Sequence, residues 1–218
     1  MSAARVCVLG PSGRMGRSIV DAAAGRTDVT LTALVDRADA GSVGQVLAGL
    51  TVTAHPTAAL AASSVYIDFT TPAATRAFAD AATVARVPAV IGTTGLDADA
   101  EAALARLAKV APVVVAANFS LGVNIVLGVA QQIARTLGPD WDAEVVETHH
   151  RAKRDAPSGT ALAIARAIAA GHGVNYDSVK RHSRDGDIGP RPRGEIGVST
   201  VRGGDVVGEH TATFYGAG

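Results

Sequence analysis

The feature that most constrains this chain is a short aliphatic run, residues 5–9, that breaks at once into Gly10-Pro11-Ser12-Gly13-Arg14-Met15-Gly16. The run suits a strand, and residues 14–24 carry Met15, Ile19 and Ala22 at helical spacing before Gly25 stops them. A strand, a glycine turn and a helix in that order aim the unpaired N–H groups of the helix start at the sheet edge. The pattern then repeats. Residues 30–35, 65–69, 89–91 and 113–116 read as strands, and 72–85 and 98–109 as helices. Such alternation predicts an α/β fold, a Rossmann-type parallel sheet with helices on both faces. Hydrophobic residues make up 48% of the chain and aromatics only 4%, so its core is built from Ala, Val, Ile and Leu.

After Asn118 the texture changes. Residues 121–137 predict a long helix, 143–147 a strand and 158–170 a further helix. Residues 172–193, rich in Gly and charge, read as a long loop, with Lys180, Arg181, Arg191 and Arg193 as solvated cations or guards of a site. Residues 195–201 and 206–215 are expected to pair as a hairpin turned at Gly203-Gly204-Asp205. The expected organisation is a dinucleotide-binding domain, 1–120, and a smaller α+β domain with a mixed sheet, 121–218, for substrate binding and oligomerisation.

Bulk properties remove whole classes of function. Twenty Lys plus Arg balance twenty Asp plus Glu, so no global field draws the chain to nucleic acid or an anionic membrane. Apolar runs such as 113–117 fall far short of the ~20 residues of a membrane span. The single cysteine, Cys7, excludes an intrachain disulfide and suits a reducing compartment. With no signal peptide evident at the amino terminus, a cytoplasmic protein is expected.

Three constellations carry chemistry. In the first, Gly10 to Met15 open a helix, and Asp36 stands twenty residues past Gly16 at the end of the second strand. An acidic residue there accepts from an adenosine ribose, and Arg37 beside it could meet a 2′-phosphate, so NADH or NADPH is the expected cofactor. The alternative is an ordinary glycine-rich turn. The second is Gly92-Thr93-Thr94-Gly95, placed with residues 69–70 and 116–119 at the carboxyl ends of strands, where open parallel sheets bind ligands. The third runs from Glu147 to Thr160 and holds His149, His150 and Lys153 ahead of a helix start at Pro157-Ser158-Gly159-Thr160. Free N–H groups at Gly159 and Thr160, the Thr160 hydroxyl and the Lys153 charge suit a carboxylate. A histidine can supply a proton near neutral pH. Adjacent histidines lack the spacing of a helical metal pair, so no metal is expected. Ser158 reads as a helix cap rather than a nucleophile.

Read together, these residues resemble the dihydrodipicolinate (4-hydroxy-tetrahydrodipicolinate) reductase family. Residues 147–160, E-T-H-H-R-A-K-R-D-A-P-S-G-T, carry the resemblance most specifically. Residues 8–16, 68–70, 92–95, 116–124 and 202–210 match in order, so it spans essentially the whole chain. The resemblance implies reduction of a small dicarboxylate in lysine and diaminopimelate synthesis, with His149 as proton donor and Lys153 as second catalytic group. It implies that His150, Gly159 and Thr160 grip the substrate, with Thr94 nearby. It also implies that Gly10, Pro11, Ser12, Gly13, Arg14, Met15, Asp36, Arg37, Gly92, Thr93, Thr94, Ala116, Ala117, Asn118 and Phe119 hold the dinucleotide. A homotetramer is typical of the family. Family chains run on past the last strand seen here, so a longer natural protein is expected, and its absent helix would leave an aliphatic patch near the first sheet. The competing readings are another Rossmann-type imine or keto-acid reductase and a non-catalytic dinucleotide sensor.

Overall fold

The computed structural model describes residues 2–217. It divides into two compact units, Met1–Ala117 and Asn118–Gly218. No helix among the described residues is long and apolar enough to cross a membrane.

The first unit holds seven strands in the order β3-β4-β2-β1-β5-β6-β7. They are β1 (Ala4–Leu9), β2 (Val29–Val35), β3 (Val46–Leu47), β4 (Leu50–Thr53), β5 (Val65–Asp68), β6 (Ala89–Ile91) and β7 (Val113–Val115). All neighbours run parallel except β3, which is antiparallel to β4. Successive side chains of a strand point to opposite faces, and β1 divides its aliphatics that way. Val6 and Val8 pack with Leu34, Val52 and Val20, the last from α1 (Arg14–Ala23). Cys7 and Leu9 turn to the other face, which is covered by Leu60 of α2 (Pro56–Ala61), Phe78 of α3 (Pro72–Ala85) and Leu104 of α4 (Ala98–Leu107). Burial pushes the Cys7 thiol up to about 12, so it behaves as a small hydrophobe. At one edge, β7 leaves Val114 and Val115 half-exposed.

The second unit is a four-stranded sheet, β11-β8-β10-β9, carried by two helices. Its elements are α5 (Leu121–Leu137), β8 (Asp142–His149), α6 (Gly159–His172), α7 (Tyr176–Val179), β9 (Lys180–Arg181), β10 (Ile196–Arg202) and β11 (Glu209–Tyr215). Along α6 the residues Ala161, Ile164, Ala165, Ile168 and Ala169 form one buried stripe against Val145, Ile196 and Val198 of the sheet. α5 lies close on α6: a Cβ at Gly171 would stand 2.4 Å from the Gln131 carbonyl oxygen.

The expected hairpin does not form. β10 pairs with β8 in parallel, β11 pairs with β8 antiparallel, and β8 separates the two. The reason lies in the connecting segment. Gly203 donates its N–H to the His149 carbonyl, while His150 and Arg151 donate theirs to the carbonyls of Val206 and Gly204. Residues 203–206 therefore cross the end of β8 instead of folding back beside β10. The expected loop at 172–193 also contains the one-turn α7 and the two-residue β9. Three of its cations are staples: Arg184 and Arg191 both bond the Glu144 carboxylate, Arg191 also bonds Asp142, and Arg181 bonds Glu195, whereas Lys180 and Arg193 are exposed.

At the first turn of α1, a Cβ on Gly16 would lie 2.0 Å from the Gly10 carbonyl oxygen. Overpacking of this kind costs about 1–3 kcal/mol. Gly16→Ala is therefore expected to lower unfolding free energy by about that amount in urea titration, whereas Gly128→Ala, in open space on a helix, should not lower it.

Candidate active site

In the first unit the sequence-predicted residues gather at the carboxyl ends of the parallel strands. β1 lies between β2 and β5, with Leu9 level with Asp68. The chain goes from β1 to one neighbour through α1 and reaches the other only later, so the strand order reverses at this point, which is where open α/β sheets bind ligands. Gly13 caps α1 without a side-chain hydrogen bond, and its first turn has no acidic residue. The helices α3, α4, α5 and α6 are instead capped by Thr71, Asp97, Ser120 and Ser158. The start of α1 thus keeps its donors and its positive potential for an anion.

Asp36 stands beyond the end of β2. Its carboxylate accepts from the Ser12 hydroxyl at 2.6 Å, the Ser42 hydroxyl at 2.8 Å and the Arg37 N–H at 3.0 Å. Burial pushes this carboxyl up, but the two hydroxyls and the Arg37 N–H and charge outweigh it and hold it below the usual range. Arg37 turns its guanidinium to Asp39 at 3.2 Å, both well exposed. A hollow beside Asp36 is lined by Ser12, Arg17, Ser42 and Gln45. Sequence reasoning missed Arg17 and Ser42 there. This donor-rich turn followed by an ionised acceptor fits a dinucleotide.

Asp68, fully buried at the end of β5, organises the neighbouring rim. It accepts from the Thr70 N–H (2.9 Å) and hydroxyl (2.6 Å), from Thr75 (2.6 Å) and from Thr93 (3.2 Å). Thr93 in turn accepts from the Thr70 N–H. The turns at 69–71 and 92–95 are thereby locked together. Ala116 follows the same edge, donating its N–H to Ile91.

In the second unit β8 carries the chemistry. Its buried face reads Ala143, Val145, Glu147, His149, so the apolar alternation ends in two polar residues. Glu147 is fully buried. Arg202, from β10, forks onto both of its oxygens at 2.8 and 2.9 Å. Thr200 of β10 and the Ser158 N–H donate to Oε1, and Nδ1 of His149 lies 2.5 Å from Oε2. Burial pushes the Glu147 carboxyl up, but the Arg202, His149 and Ser158 hydrogen bonds prevail and hold it at about 2.

Beside this pair, His210 of β11 stands edge-on to His149, with ring centres 5.2 Å apart. Its Nε2 lies 2.9 Å from the Ser158 hydroxyl, which itself accepts from the Ala161 N–H to cap α6. Burial first, then the neighbouring His149, lowers the His210 value. Gly159 and Thr160 open α6, and Asn118 reaches the Thr160 hydroxyl at 3.4 Å. Lys153, largely buried, pairs with the exposed Asp155 at 2.9 Å. The His150 backbone is fixed at both ends, its N–H to Val206 and its carbonyl to the Lys153 N–H. His149 at the end of β8, Lys153 in the loop after it and the Gly159-Thr160 start of α6 therefore fall within one stretch of chain, 149–160.

The matching family models decide what kind of protein carries this arrangement. The model described as dihydrodipicolinate reductase, N-terminus, matches residues 4–119, and the one for its C-terminus matches 122–218. The chain belongs to the dihydrodipicolinate reductase family. Among its relatives, the 4-hydroxy-tetrahydrodipicolinate reductase of Cereibacter sphaeroides is 46% identical over 98% of this chain and 82% of its own. That of Thiobacillus denitrificans is 42% identical over 98% and 83%. A solved dihydrodipicolinate reductase from Paenisporosarcina sp. TG-14, with dipicolinate bound, superposes with a TM-score of 0.76 at 27% identity, over 99% of this chain and 84% of that one. Within the reductase family the two units correspond to the two matched halves.

A pH dependence follows from Glu147. Its folded value, about 2, lies below the ordinary 4.5, so its contribution to stability is present above pH ~4.5 and is lost as pH falls toward ~2. Thermal melts of the wild type should drop through that window, and Glu147→Gln should start less stable and show a flatter decline. Asp155, held down by its Lys153 hydrogen bond, adds in the same direction.

Proposed function

We propose that this chain performs the reaction named for its relatives, the pyridine-nucleotide-dependent reduction of 4-hydroxy-tetrahydrodipicolinate to tetrahydrodipicolinate with loss of water, in lysine and diaminopimelate synthesis. The observation that carries the reading is the second-unit constellation: a buried histidine at a strand end, a lysine, and a helix start whose N–H groups suit a carboxylate. A second carboxylate on the substrate is met by His150 and the Lys153 charge. Bound dinucleotide supplies the hydride to the substrate ring. The 4-hydroxyl leaves with a ring hydrogen as water before the hydride arrives, His149 hands over the proton that completes the reduction, and the Lys153 charge assists that protonation.

In the first unit, Gly10 to Met15 hold the pyrophosphate at the α1 start, and Gly92 to Thr94 with Ala116 to Phe119 hold the nicotinamide end. Asp36 accepts from a ribose hydroxyl, and Arg37, released from the exposed Asp39, meets a 2′-phosphate. Both NADH and NADPH are used. The protein works in the cytoplasm as a homotetramer.

The assay condenses pyruvate with aspartate semialdehyde enzymatically, adds this protein and follows loss of NADH or NADPH absorbance. His149→Gln should slow turnover by ~10²–10⁴, the range for losing a general acid, with cofactor affinity preserved. Lys153→Ala should raise the substrate KM and lower kcat together. Dipicolinate should compete with substrate, and failure to do so removes the dicarboxylate assignment. Arg37→Ala should penalise NADPH selectively, whereas equal losses with both cofactors would show that Arg37 does not touch the phosphate.

A further inference from the structure

Glu147 has no role in the reading above, yet it is the most completely enclosed charge in the second unit. Its surroundings define what it can do. Five donors converge on its two oxygens: two arms of Arg202, the Thr200 hydroxyl, the Ser158 N–H and Nδ1 of His149. An ionised carboxylate is acceptor-only, whereas a protonated acid or an amide would turn a donor of its own into this ring of donors. Because Oε2 only accepts, Nδ1 of His149 must carry a hydrogen. In the neutral imidazole the second nitrogen, Nε2, is then bare. The other charged or titratable groups around the ring are His210 from β11, Lys153 from the loop after β8 and Arg202 from β10. Arg202 is turned onto Glu147, and Lys153 is paired to Asp155.

We propose that Glu147 is a positioning residue for the reductase reaction, fixing His149 in the Nδ1–H tautomer so that Nε2 is the atom that gives up and regains the proton. The proposal rests on His149 being the proton donor. The same carboxylate does a second thing through its other oxygen. Oε1 accepts from the N–H of Ser158, whose hydroxyl caps α6, so one residue sets both the ring and the start of the carboxylate-binding helix. Arg202 is what makes this possible, because its fork fixes the plane of the carboxylate and so the direction in which Oε2 faces His149. In sheet terms the cluster follows from register: Thr200 and His210 stand opposite Glu147, and Arg202 stands opposite His149.

The direct test is nuclear magnetic resonance of ring-15N histidine in the wild-type protein, with the His149 signals identified by their loss in His149→Gln. The neutral ring is expected as one tautomer, Nδ1 protonated and Nε2 bare. An Nε2–H ring, or an even mixture, overturns the proposal, and beyond the His149→Gln assignment no further variant has to fold for that answer. In Glu147→Gln the tautomer preference should be lost and kcat should fall by ~10²-fold or more, as when an orienting carboxylate is replaced by its amide, with the KM for NADH within about twofold of wild type. Arg202→Lys, which keeps the carboxylate and one donor, should retain the tautomer and recover much of kcat. Loss of kcat with an unchanged tautomer would make Glu147 a purely structural residue and refute the proposal. Full turnover in His149→Gln would instead remove the proton-donor reading, and the tautomer result would still stand separately.

Discussion

A carboxylate with no exposed surface, gripped by a forked arginine, is the constraint on which the second unit depends. Burying a charge costs several kcal/mol unless it is paired and its remaining lone pairs are filled. Glu147 meets that condition only because three segments arrive together: β10 brings Thr200 and Arg202, β8 brings His149, and the turn before α6 brings the Ser158 N–H. The sheet order follows the same logic. With β8 in the middle, its neighbours on both sides can contribute side chains to its carboxyl end. The crossing of residues 203–206 over that end then fixes the backbone of His149 and His150.

The first unit solves a similar problem with hydroxyls. Asp68 gathers Thr70, Thr75 and Thr93, and so joins the turns after β5 and β6 to the start of α3. In both units a buried acceptor at the end of a parallel strand organises loops that would otherwise move independently. Loops carry function and elements carry rigidity, and these carboxylates transfer the second property to the first.

Much of this was legible in the sequence. The strand–turn–helix at residues 5–24, the spacing to Asp36 and the run from Glu147 to Thr160 were enough to name a fold class and a chemistry. What escaped did so for identifiable reasons. The pairs 46–47 and 180–181 are too short to show a period. The hairpin expected around Gly203 rested on turn chemistry alone, whereas the partners of that turn lie more than fifty residues upstream. Glu147, Arg202 and His210 stood in matched segments without a role. The signal for Glu147 was present: it lies two residues before His149, and in a strand residues i and i+2 share a face. Reading β8 as ending at residue 147 hid that relation, because it left His149 in a loop.

The account makes the carboxylate act through the histidine, and a double-mutant cycle in kcat tests this most directly. His149→Gln, Glu147→Gln and the double variant would be assayed with saturating NADH and the condensed substrate, after circular dichroism has shown each to be folded. Residues that act as one unit are strongly non-additive. The predicted result is a double variant no slower than His149→Gln alone. Losses that multiply would show that Glu147 serves turnover by a route independent of His149, and would contradict the account.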